Sequence, residues 1–320
     1  MRKFVLLVIM ASMAWFFNAC EADDNSVNES WNSVVSPTNQ WLMDVAFIDD
    51  VSGWAVGWNG TVLKYTDGNN WESTSITGIS DDKLYGVAFS DNNHGVILGY
   101  SSDNEAFVYA TRNGGTSWSK VMLPSVDFIP RAVTFGDETR GWIAGSNGVV
   151  LTTNDAGQSW SLVETPVSTT LYGVDAIGAG KVYACGSSTL IYSSDGGSSW
   201  QQLIDAQDGY GWLKDIVFTD DNNGYFVTAG GEAKIFKTSD GGNSWNQQID
   251  INAAFLNDIH FVDESNGWAV GDEGIIYRTK NGNDWSQVSS PVSYQLNAVF
   301  FPSAKNGWAA GYNGTLMHFN

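Results

Sequence analysis

The sequence predicts an all-β fold, a single seven-bladed β-propeller whose last blade is closed by an N-terminal strand. Three observations carry that prediction. A unit of strand, turn, strand, hairpin, strand and turn recurs along the 320-residue chain, and its closing tryptophans are spaced by 40 to 47 residues. The seventh unit lacks a closing segment, and a spare one precedes the first unit. A period of that length with about four short strands per unit is the mark of a propeller, whose radial repetition leaves only short, protected edges.

The first strands of the units begin at Leu42-Met43-Asp44-Val45, Leu84-Tyr85-Gly86-Val87, Pro130-Arg131-Ala132-Val133, Leu171-Tyr172-Gly173-Val174, Leu213-Lys214-Asp215-Ile216, Leu256-Asn257-Asp258-Ile259 and Leu296-Asn297-Ala298-Val299. The closing tryptophans are Trp31, Trp71, Trp118, Trp160, Trp200, Trp245 and Trp285. The last unit stops at Thr315-Leu316-Met317-His318, whereas Ser30-Trp31-Asn32-Ser33-Val34-Val35 stands alone before the first. That segment is expected to supply the missing outer strand, so the propeller spans residues 29–320 and the two domains suggested by length alone become one.

The turns agree with this reading. Asn59-Gly60 and Asn313-Gly314 sit between strand-like runs, where a two-residue hairpin needs positive φ. Thr153-x-Asp155-x-Gly157-x-Ser159-Trp160 recurs as Ser193 to Trp200 and Thr238 to Trp245, with Asn113 replacing Asp before Trp118. These turns resemble the Asp-box, or bacterial neuraminidase repeat. A carboxylate there can accept backbone N–H groups of its own turn, which makes the motif a fastener rather than a catalytic group. Trp54, Trp142, Trp268 and Trp308 fill one slot in the second strand of four units, while Trp41, Trp58 and Trp212 have no place in the repeat.

Composition narrows the function. Lys+Arg 15 against Asp+Glu 35 gives a net charge of −20, which repels phosphate backbones and argues against a nucleic-acid partner. Charged residues are 16% of the chain, below the roughly 25% of ordinary domains, so Ser, Thr, Asn, Gln and Gly must form much of the surface.

The N-terminus reads as an address. Met1-Arg2-Lys3 precedes a short hydrophobic run from Phe4 to Phe17 and then Asn18-Ala19-Cys20, the layout of a secretory signal. It resembles the bacterial lipoprotein signal, which implies cleavage of residues 1–19 and acylation of Cys20. Residues 20–28 then form an acidic tether, and Glu21-Ala22-Asp23-Asp24 resembles the signal that sends Bacteroidetes-type lipoproteins to the outer surface of the outer membrane. The expectation is a monomeric, surface-exposed outer-membrane lipoprotein held by lipid only. Cys185 is the only other cysteine, so no intramolecular disulfide forms if Cys20 is acylated.

The phrases Val45-Ala46-Phe47, Gly53-Trp54-Ala55-Val56-Gly57 and Asn59-Gly60-Thr61, taken with the Asp-box turns, resemble the photosystem II assembly and stability factor propellers. That resemblance covers essentially the whole propeller and implies a binding platform without enzymatic activity. It also implies an arginine-rich patch on the face where the innermost strands begin, where this chain offers Arg131 and Lys214.

A candidate ligand face follows from the repeat. The second position of the innermost strand varies while its neighbours repeat: Met43, Tyr85, Arg131, Tyr172, Lys214, Asn257 and Asn297. Loops between strands B and C add Trp58, Tyr100, Asp272, Glu273 and Tyr312 to the same face, and loops entering each blade add Trp41, Phe128, Tyr210, Trp212, Phe255 and Tyr294. Exposed rings offer large contact area at low entropic cost and stack on sugars. The expected ligand-binding residues are Trp41, Met43, Trp58, Tyr85, Tyr100, Arg131, Tyr172, Trp212, Lys214 and Tyr312, with an envelope or extracellular protein or a glycan as partner.

Enzymatic readings are weaker. A sialidase needs several converging arginines, and of Arg112, Arg131, Arg140 and Arg278 only Arg131 belongs to that face. A glycoside hydrolase with paired carboxylates on the same face is the alternative. It would draw on Asp44, Asp215 and Asp258, or on Asp103, Glu105, Glu232, Asp272 and Glu273, although recurrence at one repeat position points the first three to structure. His94, His260 and His318 lack ligand spacing, and Cys185 sits mid-strand as a small apolar residue. No metal, cofactor or catalytic residue is expected.

Overall fold

A computed structural model describes residues 29–320, apart from 67, 69, 231, 232 and 252–254. The signal peptide, Cys20 and the acidic tether lie outside the described residues, as does Glu232. The described chain forms seven four-stranded antiparallel sheets, the blades of a propeller. Six follow chain order, as in blade 1 with Leu42–Asp49, Ser52–Gly57, Val62–Thr66 and Asn70–Thr74 as strands A to D from the axis outward. In blade 7 the strands Leu296–Ser303, Asn306–Gly311 and Leu316–Phe319 are completed by Trp31–Val34 from the other end of the chain. Trp31 pairs with Phe319 and Val34 with Leu316, so the ring closes as the spare segment predicts.

The core lies between blades. Trp54, Trp142, Trp268 and Trp308 are fully buried in strand B, and Tyr183 and Tyr225 fill the same slot in blades 4 and 5. Each tyrosine keeps its polar end satisfied by reaching into the next blade: the Tyr183 hydroxyl donates to Gly241 O at 3.1 Å and the Tyr225 hydroxyl to Gly282 O at 2.7 Å. Trp142 Nε1 donates to Gly196 O at 3.2 Å in the same way. Those acceptors sit in the turns between strands C and D, so in blades 3, 4 and 5 the strand-B aromatic ties its sheet to the next one. Cys185 is wholly buried in this core, and burial pushes its thiol pKa well up.

The Asp-box turns are fasteners. Asp155 accepts the Ser159 N–H at 2.9 Å and the Ser159 hydroxyl at 2.6 Å, while Thr153 Oγ1 accepts the Gly157 N–H at 3.0 Å. Asp195 and Asp240 repeat the pattern with Ser199 and Ser244. The hydroxyl and N–H of Ser199 hold the Asp195 carboxyl down to about 2. The closing tryptophan then donates back to the turn, as Trp160 Nε1 does to Gly157 O at 3.2 Å.

On the opposite face, the hairpin turns hold the loops. Asn313 and Gly314 take φ of 57° and 68°, as the Asn-Gly pair predicts. Gly314 is required twice over, since a Cβ there would collide with the Thr38 carbonyl, and its N–H donates to Gln40 O at 2.8 Å. This contact seats the loop that carries Trp41.

Candidate functional site at the channel mouth

Strand A breaks register near its start in every blade. The pairing with strand B skips from Leu42 to Asp44, Leu84 to Gly86, Pro130 to Ala132, Leu171 to Gly173, Leu213 to Asp215, Leu256 to Asp258 and Leu296 to Ala298. The skipped residue is the variable second position each time: Met43, Tyr85, Arg131, Tyr172, Lys214, Asn257 or Asn297. A bulge of this kind leaves one residue unpaired and re-aims its side chain. The sequence carries its trace, because the buried residues of strand A are spaced three and then two apart, as in Leu256, Ile259 and Phe261, where an unbroken strand keeps a spacing of two.

All seven of these side chains line one cavity of about 340 Å³ at the mouth of the central channel, together with Trp41, Asp44, Asp215, Asp258 and Gln295. Its two cations are parked on aromatic faces. The Arg131 guanidinium lies 4.9 Å from the Tyr85 ring centre, and the Lys214 ammonium 5.0 Å from that of Tyr172. Burial, with the Arg131 charge acting in the same sense, lowers the Lys214 pKa, while Asp272 and Asp215 oppose the shift. The mouth is therefore cationic on one side. On the other, the Asn257 amide donates to Asp272 at 3.1 Å and to Leu296 O, and the Asn297 amide to Leu42 O.

Of the expected binding residues, Trp41, Met43, Tyr85, Arg131, Tyr172 and Lys214 meet in this cavity, whereas Trp58, Tyr100, Trp212 and Tyr312 lie outside its lining. Trp58 is stacked on Trp41 at 4.4 Å, with the Lys83 ammonium 4.9 Å from its ring centre. It is thus held by its neighbours rather than freely presented. Tyr312 packs edge-on against Trp41 at 4.8 Å and remains 38% exposed. Tyr100 ends strand B of blade 2, paired with Lys83 and Ala106. Trp212 is the first residue of a strand A rather than part of a loop, and at 54% exposure it is the most open aromatic on the rim.

Two further loop aromatics are not exposed as expected. Phe128 is only 2% exposed, because its ring lies against Gly145, where a side chain would collide with it. Tyr210 stands edge-on to Phe226 and Phe236 at 5.6 and 5.0 Å. Both are blade caps.

The recurring strand-A carboxylates are committed to the backbone. Asp44 accepts the N–H of Val87 in the next blade at 2.8 Å, Asp215 that of Ile259 at 3.2 Å and Asp258 that of Val299 at 2.6 Å. Burial pushes Asp44 up to about 8 despite those bonds, and the charge of Asp258 adds to the rise. His260 and His318 meet Phe301 O and Asn306, and His94 pairs with Asp91. Among the described residues no group of three His, Cys, Asp or Glu side chains could hold a metal ion.

The family described as photosynthesis system II assembly factor YCF48 matches residues 69–178 and 203–280. The chain belongs to this family. It is 27% identical over 151 residues to the photosystem II assembly lipoprotein Ycf48 of Synechococcus sp. (strain CC9902), a match covering 45% of this chain and 43% of that one. It is 31% identical over 149 residues to the chloroplastic photosystem II stability/assembly factor HCF136 of Oryza sativa subsp. japonica, covering 42% and 34%. Each match spans less than half of the relative's length. A solved structure described as YCF48 bound to D1 peptide superposes with a TM-score of 0.73 at 23% identity, covering 90% of this chain and 96% of that one. Family members are assembly factors, and the same architecture also carries enzymes, such as a streptogramin B lyase at TM-score 0.73 and 15% identity. The family match and the superposition agree on a seven-bladed propeller.

Proposed function

We propose that this chain is a non-enzymatic assembly platform that captures a segment of an envelope protein at the channel mouth, while an acylated Cys20 holds it on the outer surface of the bacterial outer membrane. The observation that carries the reading is the bulge in all seven strand A segments, which turns the side chain of one variable position per blade into a single cavity. Arg131 and Lys214, held on Tyr85 and Tyr172, suit a carboxylate or acidic stretch of polypeptide. Trp212 on the rim adds a large ring to the same face. The family relatives support it: their names describe assembly factors, one a lipoprotein, and one propeller of this shape holds a peptide. The engagement of Asp44, Asp215 and Asp258 with the backbone speaks against paired-carboxylate hydrolysis.

The test is partner capture by crosslinking on cells, comparing the native chain with Arg131→Gln/Lys214→Gln and with Trp212→Ala. The expected outcome is loss of one crosslinked envelope protein in the double variant and weaker capture by Trp212→Ala. Capture unchanged in the double variant overturns the site. Array binding of a neutral glycan that the same variants abolish replaces the protein partner with a glycan, and release of reducing ends from a polysaccharide overturns the non-enzymatic reading. Labelling with a fatty-acid analogue, lost in Cys20→Ala, and protease access on intact cells test the anchor and its sidedness.

A further inference from the structure

One blade-to-blade contact at a C–D turn has a counterpart at the ring seam. In strand C of blade 5, the residue paired with the buried strand-B aromatic lies over that ring and reaches the C–D turn of the next blade. Lys237, paired with Tyr225, lies 5.4 Å from its ring centre and donates to Gly282 O at 3.1 Å and to Asn283 Oδ1 at 2.8 Å in that turn. Arg278 is the same residue one blade later, paired with Trp268 and 5.0 Å from its ring centre. The next blade, however, has no C–D turn, because its strand C is Leu316–Phe319 near one end of the chain and its strand D is Trp31–Val34 near the other. Arg278 instead lies 5.0 Å from the Phe319 ring and donates to the Glu29 carboxylate at 2.6 Å, with Lys280 Nζ on the same oxygen at 3.1 Å.

We infer that Glu29 takes the place of the missing C–D turn, and that the Glu29–Arg278 pair is the latch that keeps the ring closed. Three features make it more than a surface ion pair. Arg278 is only 8% exposed, its guanidinium lies 5.0 Å from the ring centres of both Trp268 and Phe319, and it bridges residues 249 apart in sequence. The closing strand itself is held by four residue pairs, Trp31 with Phe319 to Val34 with Leu316, and by backbone bonds between Ser30 and Asn320 at 3.1 and 3.4 Å. The Asn32 amide on Asn320 at 3.2 Å and Trp31 buried against Phe301 and Phe319 add to that hold, and Glu29 stands just before all of these. Glu29 also immediately follows the acidic segment, so any load carried by the chain before it reaches the latch before the strand. The propeller is thus a ring that opens at the seam beside Glu29, and Glu29 sets how often it does. This inference does not depend on what binds at the channel mouth.

Hydrogen exchange on the full chain tests it. Glu29→Gln keeps the shape and removes the charge, and a hydrogen bond to a charged group is worth enough that its loss should speed exchange at Trp31–Val34 and Leu316–Phe319 by about tenfold or more. Exchange in blade 4, Leu171–Ile177 and Lys181–Gly186, should stay the same, and Lys280→Ala, at an exposed partner, should change the seam by about twofold at most. Unchanged exchange at the seam in Glu29→Gln overturns the latch. If the variant loosens the whole fold, a double-mutant cycle with Arg278→Met decides: strong non-additivity in unfolding free energy supports the latch, and additive losses overturn it.

Discussion

Asp258 Oδ2 accepts the backbone N–H of Val299 at 2.6 Å, and so joins the innermost strand of blade 6 to that of blade 7. Asp44 and Asp215 make the equivalent bonds to Val87 and Ile259. A carboxylate that recurs at one repeat position beside the channel is therefore a joint between blades, and the candidate site is built above these joints rather than from them.

Replacing Asp258 with Ala should leave the Val299 N–H without its acceptor and lower stability by about 1–3 kcal/mol. Asp258→Asn keeps an acceptor and removes the charge that acts on Asp44 and Asp215, so it should fall within about 0.5 kcal/mol of the native chain. Urea unfolding at one pH separates the two. Equal losses in both variants would count against the joint.

Asp44 sets a pH dependence of definite sign. Its pKa in the folded chain is about 8 against 3.8 for the free residue, the cause being burial. The folded state therefore holds a proton that the unfolded chain gives up, so the stability from Asp44 is present in full below about pH 4 and is lost as pH rises towards 8. Asp175, raised to about 6, acts in the same sense over a narrower window. Asp44→Asn should flatten the fall in unfolding free energy between pH 4.5 and 8, and an unchanged slope would refute the assignment. The Asp-box carboxylates, with pKa values below their ordinary range, lose their contribution only in stronger acid.

The strand-B tryptophans should differ when changed to Phe. Trp142 donates to Gly196 O, whereas Trp54 Nε1 finds no partner among the described residues. Both substitutions remove similar volume from wholly buried sites. Trp142→Phe should cost about 1 kcal/mol more than Trp54→Phe in chemical unfolding, because only it strands an acceptor.

The rim aromatics should separate stability from binding. Trp58 sits between Trp41 and Lys83, so Trp58→Ala should lower stability by about 3 kcal/mol, in line with large aromatic truncations. Trp212 makes little contact, and Trp212→Ala should leave the unfolding midpoint almost unchanged. A drop in midpoint for Trp212→Ala would show that this ring serves the fold.

The sequence by itself determined the blade number, the closure by Trp31–Val34, the Asp-box turns and the hairpin glycines. Each follows from contacts within one repeat or from counting repeats, and forty-odd residues of local pattern suffice for that. It also placed Met43, Tyr85, Arg131, Tyr172 and Lys214 on one face, since a position that varies while its neighbours recur stands out without coordinates. Only the tertiary structure decided which aromatics are free. Trp41 and Trp58 cover one another, Phe128 lies on Gly145, and Trp212 stays open. These outcomes depend on what adjoining blades bring within 4–6 Å, and no spacing along the chain encodes that. The pairing of Glu29 with Arg278 belongs to the same class, since it exists only because the ring closes and sets distant segments side by side.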